Sequence, residues 1–280
     1  MDNRPAGRRP AEFREEQTPT SGIYFKARRR LFRGRSRFQR IDVFENDAFG
    51  RVLFLDGLVQ TTERDEFFYH EMLVHPALLR HPRPRRVLII GGGDGGALRE
   101  VLRHPVERAT LVEIDGRVID VCAAHFKWLG PALRDGRAEI VVGDGNDFLG
   151  STPDRFDVIL VDSSDPVGPS TVLHQRGFYA RIKRALKPGG IAAAQAGALL
   201  FHLESHRRKN VFLRTLFRYV RFYTGPAPTY PGGTWCYVFC SDRVPPLGRL
   251  RRTPPGLRYY NPRIHAAAFA LPNLLAEKLS

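Results

Sequence analysis

The chain has 280 residues, 42% of them hydrophobic, and carries 44 basic against 29 acidic side chains for a formal net charge of +15. That length allows one large domain or two modest ones with a full core. No apolar run approaches the roughly 18 residues needed to cross a membrane, and Arg8-Arg9 is not followed by an apolar region, so neither a secretory nor a twin-arginine signal is expected. Three sparse cysteines, Cys122, Cys236 and Cys240, form no C-x-x-C pair. They argue against a disulfide scaffold or a zinc site and suit a reducing cytoplasm.

Residues 1–20 are polar and proline-containing and are predicted to be loose. From Ile23 to about Gln60 apolar and polar residues alternate, as in Phe38-Gln39-Arg40-Ile41-Asp42-Val43-Phe44, with turns at Glu45-Asn46-Asp47 and Asp56-Gly57. A small antiparallel β domain over residues 21–65 follows. Glu66 to Leu79 carries apolar residues at helical spacing and stops before His81-Pro82-Arg83-Pro84. Strands and helices then alternate to about residue 223, which predicts a Rossmann-like parallel α/β sheet within a second domain spanning 66–280. Lys187-Pro188-Gly189-Gly190 reads as a turn into a strand from Ile191 to Gln195, and Trp235 to Ser241 reads as a late strand. A Pro/Arg-rich connection over 242–258 precedes one terminal helix near residues 263–278.

The densest basic cluster is Arg28-Arg29-Arg30, Arg33, Arg35, Arg37 and Arg40, a composition that can neutralise phosphates. Lysine, however, occurs at six positions and arginine at 38, spread through the chain. No nucleic-acid motif accompanies the charge, so a global arginine bias explains it more simply than nucleic-acid binding does.

The informative residues lie at strand ends. Gly91-Gly92-Gly93-Asp94-Gly95-Gly96 follows the apolar run Val87-Leu88-Ile89-Ile90 and opens a helical stretch, the strand, glycine turn and helix start of a nucleotide site. Asp94 inside that turn would repel a pyrophosphate and attract an ammonium or sulfonium ligand, which disfavours NAD. Glu113 closes the next strand, about 20 residues on, where an acid bonds ribose hydroxyls. Asp144 follows the next, in Gly143-Asp144-Gly145. Asp162-Ser163-Ser164-Asp165-Pro166 follows Phe156-Asp157-Val158-Ile159-Leu160-Val161, and Pro166 and Gly168 keep it a loop. Each acid alone suits a turn or a helix cap; four consecutive strand ends bearing acids point to an acidic crevice.

These blocks resemble the spermidine synthases, the polyamine aminopropyltransferases. The resemblance rests on the glycine loop, residues 162–168, the run Leu55-Asp56-Gly57-Leu58-Val59-Gln60-Thr61-Thr62-Glu63-Arg64-Asp65-Glu66-Phe67-Phe68-Tyr69-His70-Glu71-Met72, Pro228-Thr229-Tyr230-Pro231-Gly232-Gly233-Thr234-Trp235 and Tyr259-Tyr260-Asn261-Pro262-Arg263-Ile264-His265. It extends from about Phe13 to the C-terminus. It implies aminopropyl transfer from decarboxylated S-adenosylmethionine, a co-substrate, to putrescine, giving spermidine and methylthioadenosine, with no metal or redox cofactor. It further implies a cytoplasmic homodimer or homotetramer. By family position Asp162 is the general base and Asp165 helps anchor the polyamine, with Ser163 and Ser164 beside them. Asp94 holds the donor's aminopropyl ammonium, Glu113 the ribose, and Asp144 with Gly145 the adenine, with Gly91 and Gly93 in the donor loop. Gln39, His70 and the backbone around Pro169 match positions at the nucleoside, His70 also counting among the polyamine-binding residues. Tyr69, Gln60 and Tyr230 match the substrate channel.

The chain departs from the resemblance on the acceptor side. Glu12 stands where many relatives have tryptophan, Gly197 in Gln195-Ala196-Gly197 stands where they have an acid, and Ser170-Thr171-Val172 lacks a common glutamate. The far end of the amine channel is therefore expected to be wider and less negative. Agmatine, cadaverine or spermidine stay open as acceptors, and an S-adenosylmethionine-dependent methyltransferase is the nearest enzymatic rival.

Overall fold

The structure, a computed structural model, describes residues 11–163 and 172–279. The chain divides into two compact units that meet in sequence at Arg64 and Asp65.

The N-terminal unit is all β. Strands β1 (Ala11–Thr18) and β2 (Ser21–Ala27) pair as an antiparallel hairpin. Strands β3 (Arg29–Arg35), β4 (Arg40–Asn46), β5 (Gly50–Leu55) and β6 (Leu58–Thr62) form a meander. The expectation of a loose segment to residue 20 is corrected for residues 11–18. Phe13 supplies the reason: it stacks on Phe44 at 4.0 Å and meets Phe54 edge-on at 5.6 Å, while the buried Glu15 accepts the Val59 N–H at 2.7 Å. An aromatic contact and a charge-assisted hydrogen bond together offset the entropy of ordering a polar strand. Part of the basic cluster is neutralised locally, since Arg28 and Arg29 pair with Glu45 and Arg40 pairs with Asp42.

The second unit opens with helix α1 (Glu66–Arg80) and then alternates. Strands β7 (Arg86–Gly91), β8 (Arg108–Glu113), β9 (Ala138–Val142), β10 (Phe156–Asp162) and β11 (Leu186–Ala198) run parallel. Helices α2 (Gly96–Leu102), α3 (Gly116–His125), α4 (Leu129–Leu133), α5 (Gly145–Ser151) and α6 (Arg176–Ala185) lie between them in sequence. After α7 (Leu203–Arg214) come β12 (Tyr219–Pro226) and β13 (Thr234–Ser241), the latter antiparallel to both its neighbours. The sheet order is β12-β13-β11-β10-β7-β8-β9. The chain therefore winds outward from β7 to one side through β8 and β9, then returns to β10 on the other side. Crevices for ligands open at such a reversal, beyond the carboxyl ends of the strands. The continuous apolar runs Val87 to Ile90 and Phe156 to Val161 are buried throughout, as strands covered on both faces must be.

Two local expectations change. The strand after α6 starts at Leu186, and residues 187–190 sit in a register break in which Phe156 pairs Leu186 but Val158 pairs Ile191. The terminal helix is two, α8 (Pro262–Ala268) and α9 (Asn273–Leu279), because Pro272 between them supplies no N–H and cannot continue α8. No helix among the described residues is long and apolar enough to cross a membrane.

Glu71 on α1 ties the Pro/Arg-rich connection down. Its buried carboxylate accepts the backbone N–H groups of Arg258, Tyr259 and Tyr260 at 2.8, 2.9 and 2.7 Å. Glu71→Gln replaces one acceptor oxygen with a donor facing a donor. It is expected to lower stability by about 2–3 kcal/mol, read from the urea midpoint. An unchanged midpoint would show that this clamp contributes nothing.

Candidate active site

The crevice is built where β7 and β10 end side by side. Gly91 lies opposite Asp162 in the parallel register, and a Cβ at Gly91 would stand 2.2 Å from the Asp162 carbonyl oxygen. With φ at +80° as well, only glycine lets the two strand ends approach this closely. The Asp162 side chain is thereby delivered beside the glycine loop.

Asp162 Oδ1 accepts the Tyr69 hydroxyl at 2.7 Å, whereas Oδ2 is buried and has no partner among the described residues. Burial raises the carboxyl to about 6; His70 opposes the rise, Asp94 adds to it, and the Tyr69 hydroxyl opposes it. Asp94 Oδ1 accepts the Gly96 N–H at 2.9 Å and Oδ2 faces His70 Nε2 at 3.4 Å. Burial alone would raise Asp94, but His70 and the Gly96 N–H bring it below its ordinary value. His70 is buried on α1 with Nδ1 against Glu66 Oε2 at 2.8 Å. Burial would lower this imidazole, yet Asp94 and Glu66 hold it well above its usual range. One ring nitrogen of His70 and one carboxylate oxygen each of Asp94 and Asp162 lie within 4.8 Å of one another, so two carboxylates face a single imidazole in a small volume.

Glu113 serves the loop itself. Oε2 accepts the Gly93 N–H at 3.1 Å and Oε1 accepts the Asp115 N–H at 2.9 Å. Burial pushes the carboxyl up to about 7 despite those two bonds. Asp144 does what the bland reading of a strand-end acid predicts, capping α5 by accepting the Asn146 and Asp147 N–H groups. Gly145 packs α5 onto the sheet, since a Cβ there would reach 2.4 Å from Ile90 Cγ2.

Aromatic rings wall the site beyond Asp162. Tyr69 meets Tyr230 at 5.7 Å and Tyr237 at 5.7 Å, and Tyr230 meets Trp235 at 4.7 Å. Asp65 fixes the Tyr230 loop by accepting from the Thr229 N–H at 2.9 Å and hydroxyl at 2.7 Å. Gln195 accepts the Trp235 indole N–H at 3.1 Å and donates to the Ser163 carbonyl at 2.7 Å, which ties β11 and β13 to the end of β10.

The structure thus gathers Gly91, Gly93, Asp94, Glu113, His70, Tyr69, Asp162, Ser163 and Tyr230 in one unit. Gln39 and Gln60 belong to the N-terminal unit, in which Gln60 Nε2 donates to the Leu58 carbonyl at 3.3 Å. Ser164, Asp165 and Pro169 lie outside the described residues. The expected widening at Gly197 is corrected: φ is +97° and the His202 ring fills the space, with Nδ1 2.3 Å from where a Cβ would be. Sequence reasoning missed Glu66, Arg99, Gln195 and His202 as supporting residues. Glu66 and His70, four apart on one helix, were a readable pair; the others meet the site only through the fold.

Two family matches divide the chain where the structure does. Residues 66–247 match the spermine/spermidine synthase domain and residues 12–63 match the spermidine synthase tetramerisation domain. The chain is 44% identical over 270 residues to a polyamine aminopropyltransferase of Shouchella clausii, covering 95% of this chain and 98% of that one. It is 43% identical over 268 residues to one of Bacillus mycoides, with the same coverage. Among solved structures, spermidine synthase from Thermotoga maritima superposes with a TM-score of 0.92 at 38% identity, over 100% of this chain and 97% of that one. A spermidine synthase in complex with the transition-state analogue AdoDATO superposes with a TM-score of 0.94 at 39% identity, over 100% and 98%. The chain belongs to the spermine/spermidine synthase family and is an enzyme of the polyamine aminopropyltransferase kind.

Proposed function

We propose that the enzyme transfers an aminopropyl group from decarboxylated S-adenosylmethionine to putrescine, with Asp162 as general base. The observation that carries this reading is the buried, unpartnered Oδ2 of Asp162 beside the His70–Asp94 pair at the sheet's reversal point. The acceptor's terminal amine reaches the crevice as an ammonium, which has no lone pair. Asp162 Oδ2 takes its proton, and the freed nitrogen attacks the carbon next to the donor's positive sulfur. The carbon–sulfur bond breaks with its electrons left on sulfur, so methylthioadenosine departs neutral and the product retains the new carbon–nitrogen bond. A base raised to about 6 is still ionised at neutral pH and lies near the operating range, which general-base catalysis favours. Asp94 then holds the donor's own ammonium, and Tyr69, Tyr230 and Trp235 line the path of the acceptor's methylenes. The match of residues 12–63 to a tetramerisation domain supports a homotetramer, and three buried free cysteines suit a reducing cytoplasm.

Asp162→Asn is expected to cut turnover by about 10²–10⁴-fold with donor affinity kept, measured by product formation and by calorimetry. The same substitution has a stability signature. A carboxyl whose folded value of about 6 lies above its unfolded value destabilises the fold as pH rises between the two, and the penalty is complete above about 6. The variant should therefore be more stable than the parent at pH 8, by up to about 2–3 kcal/mol, and equal to it near pH 4. A variant turning over within a few-fold of the parent removes Asp162 from the mechanism.

Asp94 also predicts donor choice. Intact S-adenosylmethionine carries a carboxylate that would meet Asp94 in a confined pocket, so calorimetry should show tighter binding of the decarboxylated donor. The reverse order would favour a methyltransferase. On the acceptor side, Gly197→Glu is expected to lower the melting temperature rather than tighten putrescine, because φ of +97° and the His202 ring both oppose a side chain there. Tighter putrescine binding without loss of stability would refute that correction.

A further inference from the structure

We propose that Glu66, clamped by Arg99, is a positioning residue that presents His70 to Asp94 as a charged donor and thereby keeps Asp162 ionised at neutral pH. The inference rests on the reading of Asp162 as the base.

Glu66 lies one helical turn before His70 on α1 and is buried. Arg99 on α2 grips it with two hydrogen bonds, Nη1 to Oε1 at 2.9 Å and Nη2 to Oε2 at 2.8 Å. Arg99 is held in turn by Glu100, whose Oε1 accepts from Nε at 2.8 Å. Glu100 Oε2 stands 3.1 Å from His75 Nε2, and His75 Nδ1 stands 2.9 Å from His104 Nε2. The base of the crevice is thus backed by an unbroken chain of charged and imidazole groups, most of them buried.

The protonation of His70 follows from acceptor chemistry. An ionised carboxylate offers only acceptor oxygens, so the 2.8 Å contact with Glu66 requires a proton on Nδ1. On the other side Nε2 faces the Asp94 carboxylate at 3.4 Å, where a bare lone pair would be repelled. Both nitrogens therefore carry protons. The groups facing this imidazolium are Glu66 and Tyr69 from α1, Asp94 and the Gly96 backbone from the glycine loop, Arg99 through Glu66 from α2, and Asp162 from β10.

The arrangement solves a specific problem. Asp94 and Asp162 lie close together in a shielded crevice, where two carboxylates ordinarily share one proton. The His70 cation offsets that repulsion. Glu66 alone would orient His70 at the cost of a third negative charge. The ring is thus fixed by a carboxylate whose charge Arg99, shared with Glu100, partly offsets.

Glu66→Gln keeps the size and an acceptor oxygen and removes the charge. In the full-length enzyme without substrates, the His70 imidazole is followed by NMR over pH, its signal assigned by difference against His70→Asn. In the parent, His70 should stay protonated through pH 8. In Glu66→Gln it should lose its proton at least about one pH unit lower than in the parent. With the cation gone, Asp162 should hold its proton to higher pH, so the acid limb of kcat/KM moves upward in the same variant. Glu66→Asp, which keeps the charge at a shorter reach, should restore part of that shift. The proposal is overturned if the parent's His70 titrates in the ordinary histidine range, or if Glu66→Gln moves neither His70 nor the acid limb. Should Glu66→Gln fail to fold, Glu66→Asp decides: its shorter reach should move both the His70 titration and the acid limb part of the way, and if neither moves the proposal is overturned. A parent that transfers no aminopropyl group would sink the functional reading instead, and the NMR titration would still decide the role of Glu66.

Discussion

A carboxylate withdrawn from water must be answered by a proton, a cation or an N–H group, and this constraint shapes the second unit more than any other. Asp162, Asp94, Glu113, Glu66, Glu100 and Glu71 all sit in shielded positions, and each is answered differently. Glu71 takes three backbone N–H groups, Glu113 takes two, and Glu66 and Glu100 share Arg99. Asp94 has His70. Asp162 has one hydroxyl on one oxygen and, among the described residues, no partner on the other. Of these six carboxylates, the one with an oxygen that has no partner among the described residues is the one at the sheet's reversal point.

Much of this was legible in the chain because strand ends punctuate it. Apolar runs followed by Gly91, Glu113, Asp144 or Asp162 identify both the parallel sheet and the edge of the sheet that matters. Periodicity likewise placed α1, whose buried face carries Tyr69 and His70. What the sequence could not order was pairing across distance. Arg99 reaches Glu66 across 33 positions, and Gln195 joins Ser163 to Trp235 across two strands. No local pattern encodes those contacts. Gly197 shows the converse failure: a missing side chain reads as space, but His202 five residues on turns back and fills it. The first strand was missed because its sequence is polar, and its order comes from the ladder to β2 together with the contacts of Phe13 and Glu15.

Several of the clustered arginines near the N-terminus spend their charge on Glu45 and Asp42 within their own sheet. The arginine that touches the site's support, Arg99, lies in a different unit and in a sequence context without any basic run. The chain as a whole is positive, whereas Asp94, Asp162 and Glu113 gather carboxylates at the crevice.

The chain has two tryptophans, and the fold has placed one on each flank of the crevice. The Trp128 indole N–H donates to the carbonyl oxygen of Asp94 at 3.0 Å, on the glycine-loop side. The Trp235 indole N–H donates to Gln195, whose amide holds Ser163 on the side of Tyr69 and Tyr230. Indole emission responds to the polarity and hydrogen bonding around the ring, so the protein carries two built-in optical reporters with separate fields of view. Replacing either ring by phenylalanine leaves the other as the sole indole, which can be excited selectively over the nine tyrosines. Changes on the glycine-loop flank and on the flank of Tyr69 and Tyr230 then become separately observable in real time without a label.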